Sequence, residues 1–158
     1  MKPRIDLMHV NPGIIHAMLG LERQVEKGGL DEKLLDLVRM RASQINGCAY
    51  CLDMHSKDAR ANGETEQRLY GLNAWRETPY YSERERAALE WTEALTLVSE
   101  SHVPDDVYER VREQFSEDEL AHLSLAVVAI NGWNRLNVAA RTVPGGYVPR
   151  RAAAAQAG

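Results

Sequence analysis

The chain of 158 residues is long enough for one domain that buries roughly two thirds of the surface its unfolded form exposes, so it needs no staples to fold. Hydrophobic residues at 44% and charged residues at 27% exclude the disordered and fibrous classes. A formal net charge of −4 speaks against a nucleic-acid footprint, and Arg39, Arg41, Lys57 and Arg60 are interrupted by acidic and apolar residues. The opening MKPRIDLMHVNPG lacks the apolar core of a signal peptide, and nowhere do about 18 apolar residues run together. No membrane span and a cytoplasmic location are expected.

Pro12 suits a first helical turn, and the spacing of Ile14, Ile15, Met18, Leu19 and Val25 predicts a first helix that stops at Gly28-Gly29. Asp31 is placed to cap a second helix with Leu34, Leu35, Val38 and Ile45 as its buried stripe and Gly47 as its terminator. A third helix begins at the cysteines and ends near Asn62-Gly63. A short fourth covers residues 65–75 before Thr78-Pro79 breaks the pattern. Ser82 with Glu85, and Ser116 with Glu119, match the capping box and start the fifth and seventh helices. Between them Val103-Pro104-Asp105 opens a short sixth that runs to about Gln114. No stretch shows sustained strand alternation. The expectation is an all-α fold, a single helical domain of about seven helices over residues 1–149, with residues 150–158 as a disordered tail.

The tripeptide Ile45-Asn46-Gly47 recurs as Ile130-Asn131-Gly132. Holding that offset aligns Leu35 with Leu120, Val38 with Leu123 and Ala42 with Val127, which suggests a pseudo-repeated helix-pair unit. The same offset sets Cys48 against Trp133, Cys51 against Leu136, His55 against Ala140 and Asp36 against Ala121, so only the first copy carries chemistry. Trp75, Trp91 and Trp133 fall at helical apolar positions and read as core or subunit-contact residues. His9, His16, His102 and His122 are isolated and receive no role.

Both cysteines of the chain lie in one Cys48-x-x-Cys51, followed by His55. In a reducing compartment such a pair is more often catalytic or metal-binding than a structural disulfide. At a helix start, free amides and the helix dipole stabilise a thiolate. Cys51 and His55, four apart on a helix, share a face, so an imidazole can exchange the thiol proton. Asp36, on the preceding helix, could orient that imidazole. The resulting relay suits attack of the Cys51 sulfur on a peroxide oxygen, followed by condensation of the sulfenic acid with Cys48. Dipole and histidine disagree on the activated sulfur, the first favouring Cys48 and the second Cys51. Two other readings stay open: a zinc site completed by Asp36, His102 or His122, and inert buried thiols.

The run LVRMRASQINGCAYCLDMHSKDAR from Leu37 to Arg60 resembles the alkylhydroperoxidase D-like proteins of the carboxymuconolactone decarboxylase superfamily. The similarity continues through residues 63–69, 74–79 and 90–95, so it covers most of the chain. That family's redox pattern is a glutamate, eleven intervening residues, then Cys-x-x-Cys-x-x-x-His. Cys48, Cys51 and His55 match it, whereas the glutamate position holds Asp36 and the place of a second histidine holds Tyr50. The resemblance implies a thiol peroxidase with Cys51 as the peroxidatic and Cys48 as the resolving cysteine. It further implies a hydroperoxide substrate, an external dithiol reductant of lipoyl or thioredoxin-like type, and a homo-oligomer, trimer or hexamer. No cofactor and no metal are expected. The alternative is a zinc-binding or redox-sensing helical module without turnover.

Overall fold

The computed structural model describes residues 1–149, and the tail expected at residues 150–158 lies outside them. Among the described residues the fold is all-helical, with nine α-helices and one 3-10 turn. The first predicted helix is α2 (Pro12–Lys27), with Pro12 at its first position and Asn11 accepting from the Gly13 amide. A short α1 (Leu7–Val10), capped by Asp6, precedes it; four residues carry too little periodicity to be read from sequence. The second predicted helix is α3 (Glu32–Asn46) and the third is α4 (Ala49–Ala61). The fourth divides into α5 (Glu66–Gly71) and a 3-10 turn at Leu72–Glu77. The remaining predicted helices are α6 (Glu83–Thr96), α8 (Asp105–Arg112) and α9 (Glu117–Ala140), with a single turn, α7 (Val98–Ser101), after α6.

Both capping boxes form: Ser82 and Glu85, and Ser116 and Glu119, satisfy each other's backbone amides at the starts of α6 and α9. Asp31 does not behave as expected. It stands at the N-cap of α3, but its side chain makes no capping hydrogen bond.

The centre of the molecule is α3, packed against α4, α6 and α9. One apolar cluster joins Leu34 and Val38 to Trp91, Val111, Phe115, Leu123 and Val127. A second joins Leu37 and Met40 to Leu72, Trp75 and Leu89. Burying each such side chain contributes about 1.5–3 kcal/mol, so α3, apolar on more than one face, is the element the others are built upon. Helix α2 lies across α9, where Gly132 leaves room for Met18: a Cβ at Gly132 would stand 2.8 Å from the Met18 Cε. No helix among the described residues is long and apolar enough to cross a membrane.

Candidate active site

The chemistry-bearing corner is made by the way α3 ends. Gly47 takes the left-handed conformation at φ 62°. Its amide bonds to the Gln44 carbonyl, and the Cys48 amide reaches back to the Ser43 carbonyl. These two bonds are the Schellman pattern that closes a helix. Cys48 therefore finishes α3 with its backbone and stands as the N-cap of α4, while Cys51 lies one turn further on. The two sulfurs are 2.7 Å apart, both thiols are buried, and no disulfide joins them.

The two thiols differ sharply in acidity. The Cys48 pKa is lowered to about 7, chiefly by the hydrogen bond from the Cys51 thiol, helped by the first-turn amides of Cys51 and Tyr50. The Cys51 pKa is raised, because its proton is the one shared with Cys48 and because it is buried. Of the two, Cys48 is therefore the sulfur that ionises first, with the shared proton on Cys51.

Behind the sulfurs, α9 supplies a ladder of asparagines that sequence reasoning missed. Asn46 donates to the side-chain oxygens of Asn131 at 3.0 Å and Asn134 at 2.8 Å. Asn134 donates in turn to the Ser43 hydroxyl, and Asn137 points its amide at the Cys51 sulfur, 3.6 Å away. The signal was present in N-G-W-N-R-L-N: three asparagines at helical spacing in an apolar helix need partners.

In front of the sulfurs is a cavity of about 860 Å³, walled by residues 3–8, α2, α3, α4, α9 and residues 142–149. Cys51 lines it and Cys48 does not. The C-terminal wall is pinned to α4: Asp53 accepts from the Gly145 amide, Lys57 reaches the Gly145 and Tyr147 carbonyls, and the Tyr147 hydroxyl donates to Asp58. Trp133, read from sequence as a core or contact residue, is a half-buried wall of this cavity and donates to Glu22. Trp75 and Trp91 are in the core.

Asp36 and His55 also line the cavity, at 2% and 7% exposure. The structure gathers both with Cys51 around one space, yet no hydrogen bond among the described residues joins the three. One Asp36 oxygen accepts from Asn62 at 2.8 Å; the other, like Nε2 of His55, has no hydrogen-bond partner among the described residues. Arg39 approaches that second oxygen only to 3.9 Å, because Glu32 and Glu22 hold its guanidinium. Burial raises the Asp36 pKa to about 6, against the pull of Asn62, and burial with the Arg39 charge lowers that of His55 to about 3. His55 is neutral at physiological pH. The fourth ligands considered for zinc do not converge: no three His, Cys, Asp or Glu side chains among the described residues are grouped so as to hold a metal ion.

Comparison with known proteins reveals a family. The model of the carboxymuconolactone decarboxylase family matches residues 12–94. The chain belongs to that family. It is 42% identical over 139 residues to the uncharacterized protein YdfG of Bacillus subtilis, covering 88% of this chain and 95% of that one. A crystal structure of a protein of unknown function from Agrobacterium tumefaciens superposes with a TM-score of 0.89 at 40% identity, covering 92% of this chain and all of its own. The debrominase Bmp8 shares the fold at a TM-score of 0.74 and 22% identity, over 88% of this chain and 75% of its own. The family match spans α2 to α6 and so includes Asp36, both cysteines and His55, whereas the asparagine ladder on α9 lies beyond it.

Proposed function

We propose that this protein is a thiol-dependent peroxidase of the alkylhydroperoxidase D kind, active in antioxidant defence. The observation that carries this reading is the division of labour between the thiols: Cys51 faces an 860 Å³ cavity, and 2.7 Å from its sulfur sits Cys48 with a pKa near 7. The kinship with the Agrobacterium tumefaciens protein, assigned provisionally to antioxidant defence as an AhpD, supports it. Residues 1–149 are read as one domain carrying the activity, in the cytoplasm.

Proton exchange between the sulfurs puts the thiolate on the one that faces the cavity. Attack of Cys51 Sγ on a peroxide oxygen breaks the O–O bond, forms Cys51 sulfenic acid and releases an alkoxide. The alkoxide takes the proton the pair held and leaves as the alcohol. Cys48 thiolate then displaces the sulfenic hydroxide, which leaves as water after taking a proton from solvent, and a Cys48–Cys51 disulfide remains. An external dithiol, lipoyl or thioredoxin-like, reduces it. His55 and Asp36 line the cavity and each keeps one buried polar atom, Nε2 and Oδ1, with no partner among the described residues; they are the groups able to pass protons to the departing oxygens through water. The family resemblance adds assembly into a trimer or hexamer.

The test is peroxide consumption with several dithiol donors, by wild type and by Cys51→Ser and Cys48→Ser. Cys51→Ser is expected to fall to background; Cys48→Ser is expected to give one turnover and stop at a sulfenic acid that dimedone traps. A wild-type peptide that still alkylates at both cysteines after peroxide treatment would refute the disulfide. Peroxide oxidation to the disulfide without steady-state turnover with any dithiol would leave the redox-sensing alternative in its place.

A further inference from the structure

The cavity wall is charged in one sense. Among the described residues that line it are the carboxylates Asp6, Glu22, Glu26, Glu32 and Asp36, besides Asp58, which is engaged by Tyr147, and a single guanidinium, Arg39, which is already engaged by Glu22 and Glu32. His55 adds no charge, since burial keeps it neutral. The nearby Lys57 is bound to Asp53 and to two backbone carbonyls. Between the carboxylates the wall is apolar, with Ile15, Leu19, Met54, Trp133 and Val143. Asp36 and His55, both lining this space, each keep one buried polar atom, Oδ1 and Nε2, that finds no hydrogen-bond partner among the described residues. Groups so deeply buried and unsatisfied are expected to be completed by what the cavity receives. The volume of about 860 Å³ far exceeds the room hydrogen peroxide needs and matches a drug-sized organic ligand.

We propose that the cavity takes an organic molecule with an apolar body and a cationic or uncharged polar end, and that it rejects carboxylate- and phosphate-bearing ones. Resting on the peroxidase reading, this makes the substrate class a cationic or neutral organic hydroperoxide. An anion entering the cavity meets carboxylates on several walls with no free cation among the described lining residues to offset them, while an ammonium group is drawn in by the same field. The hydroperoxide end lies toward the Cys51 sulfur, and the charged end toward the lining carboxylates.

Binding and turnover are measured with one matched series. The unreactive probes are 2-phenylpropan-2-ol and its para-trimethylammonium and para-carboxylate derivatives, titrated calorimetrically against the full chain at low and physiological salt. Affinity is expected to fall from cation to neutral to anion, with about tenfold or more between the ends and a narrower gap at higher salt. The double variant Asp6→Asn with Glu26→Gln is expected to bring the anion closer to the neutral probe. Equal affinities, a reversed order, or no binding by any of the three would overturn the proposal. The corresponding cumyl hydroperoxides then test the reading beneath it: the expected binding order without turnover of any hydroperoxide sinks the peroxidase and leaves the ligand class standing.

Discussion

Two copies of Ile-Asn-Gly, 85 residues apart, do different work. In the first, Gly47 takes a positive φ and the chain turns a corner, so α3 ends and α4 begins at Cys48. In the second, Gly132 is an ordinary helical residue and α9 runs straight through. Their asparagines meet across the core, Asn46 donating to Asn131. The polar groups of the second copy are satisfied: Asn131 bonds to Thr96 and to the Val127 carbonyl, and Asn134 to Ser43. The first copy leaves Asp36 Oδ1 and His55 Nε2 buried without partners among the described residues. An unsatisfied buried polar group costs about 1–3 kcal/mol, and here such groups line the same cavity as the Cys51 thiol. One copy is built for stability and the other carries a cost that chemistry can use.

The sharpest way to break this contrast is to remove the unsatisfied groups. Asp36→Asn is expected to lower turnover on the order of 10²-fold, and Asp36→Glu, one methylene longer, to raise it. Stability should move the other way for the Asn variant. Asp36 has a folded pKa of about 6 against an ordinary 3.8, so between those values the folded state holds a proton that the unfolded state has released. Wild-type stability therefore falls as pH rises through that window, and above it the buried charge costs about 1–3 kcal/mol. Asp36→Asn should then be more stable than wild type at pH 8 and equal to it below about pH 4. His55 has the opposite slope. Its pKa is depressed to about 3, so its contribution is complete above the ordinary 6.5 and is lost as pH falls. His55→Gln should flatten the acid limb. Urea titrations from pH 3.5 to 8 check both, and an Asn variant with unchanged turnover would take Asp36 out of the mechanism.

The glycine pair gives a smaller effect. Ala at position 47 meets no atom within 4 Å but must adopt φ 62°, a left-handed conformation costing about 1–2 kcal/mol, and it would misdirect Cys48. Gly132→Ala gains about 1 kcal/mol of helix propensity, offset by the need to displace the flexible end of Met18. Thermal melts should show Gly47→Ala clearly destabilised and Gly132→Ala within a few tenths of a kcal/mol of wild type. If Gly132→Ala proves the worse, the close crossing of α2 over α9 is less adaptable than its methionine suggests.

What could be read from the sequence follows the range of the interactions. Helix boundaries at Pro12, Gly47, Ser82 and Ser116 were legible because a cap or a terminator acts within four residues. The grouping of the candidate site was legible where its proposed members lie on adjoining helices, as Asp36, Cys48, Cys51 and His55 do. What was not legible depends on contacts across the fold: Asn134 and Asn137 behind the thiols, Trp133 as a cavity wall, and the acidic lining assembled from α2, α3, α4 and residue 6. Nor could spacing tell that His55 and Asp36 line one space without a hydrogen bond between them, because that depends on where Asn62 draws the carboxylate.

The smallest effect lies at the starts of the two copies. The offset that pairs Gly47 with Gly132 also pairs Asp31, the N-cap of α3, with Ser116, the N-cap of α9. Ser116 has Glu119 to complete a capping box, whereas the equivalent place after Asp31 is Leu34, which is buried in the core and cannot answer. Asp31 accordingly makes no side-chain cap bond and keeps only its interaction with the helix dipole, screened at an exposed position. Ser116→Ala should cost about 1 kcal/mol, and Asp31→Ala no more than about 0.5 kcal/mol, with the residual difference vanishing in 1 M salt. Chemical denaturation of the two variants at low and high salt checks this. A large, salt-independent loss in Asp31→Ala would mean that its carboxylate caps α3 in solution, which would make the two copies alike at their first turns and confine their difference to the corner at Gly47.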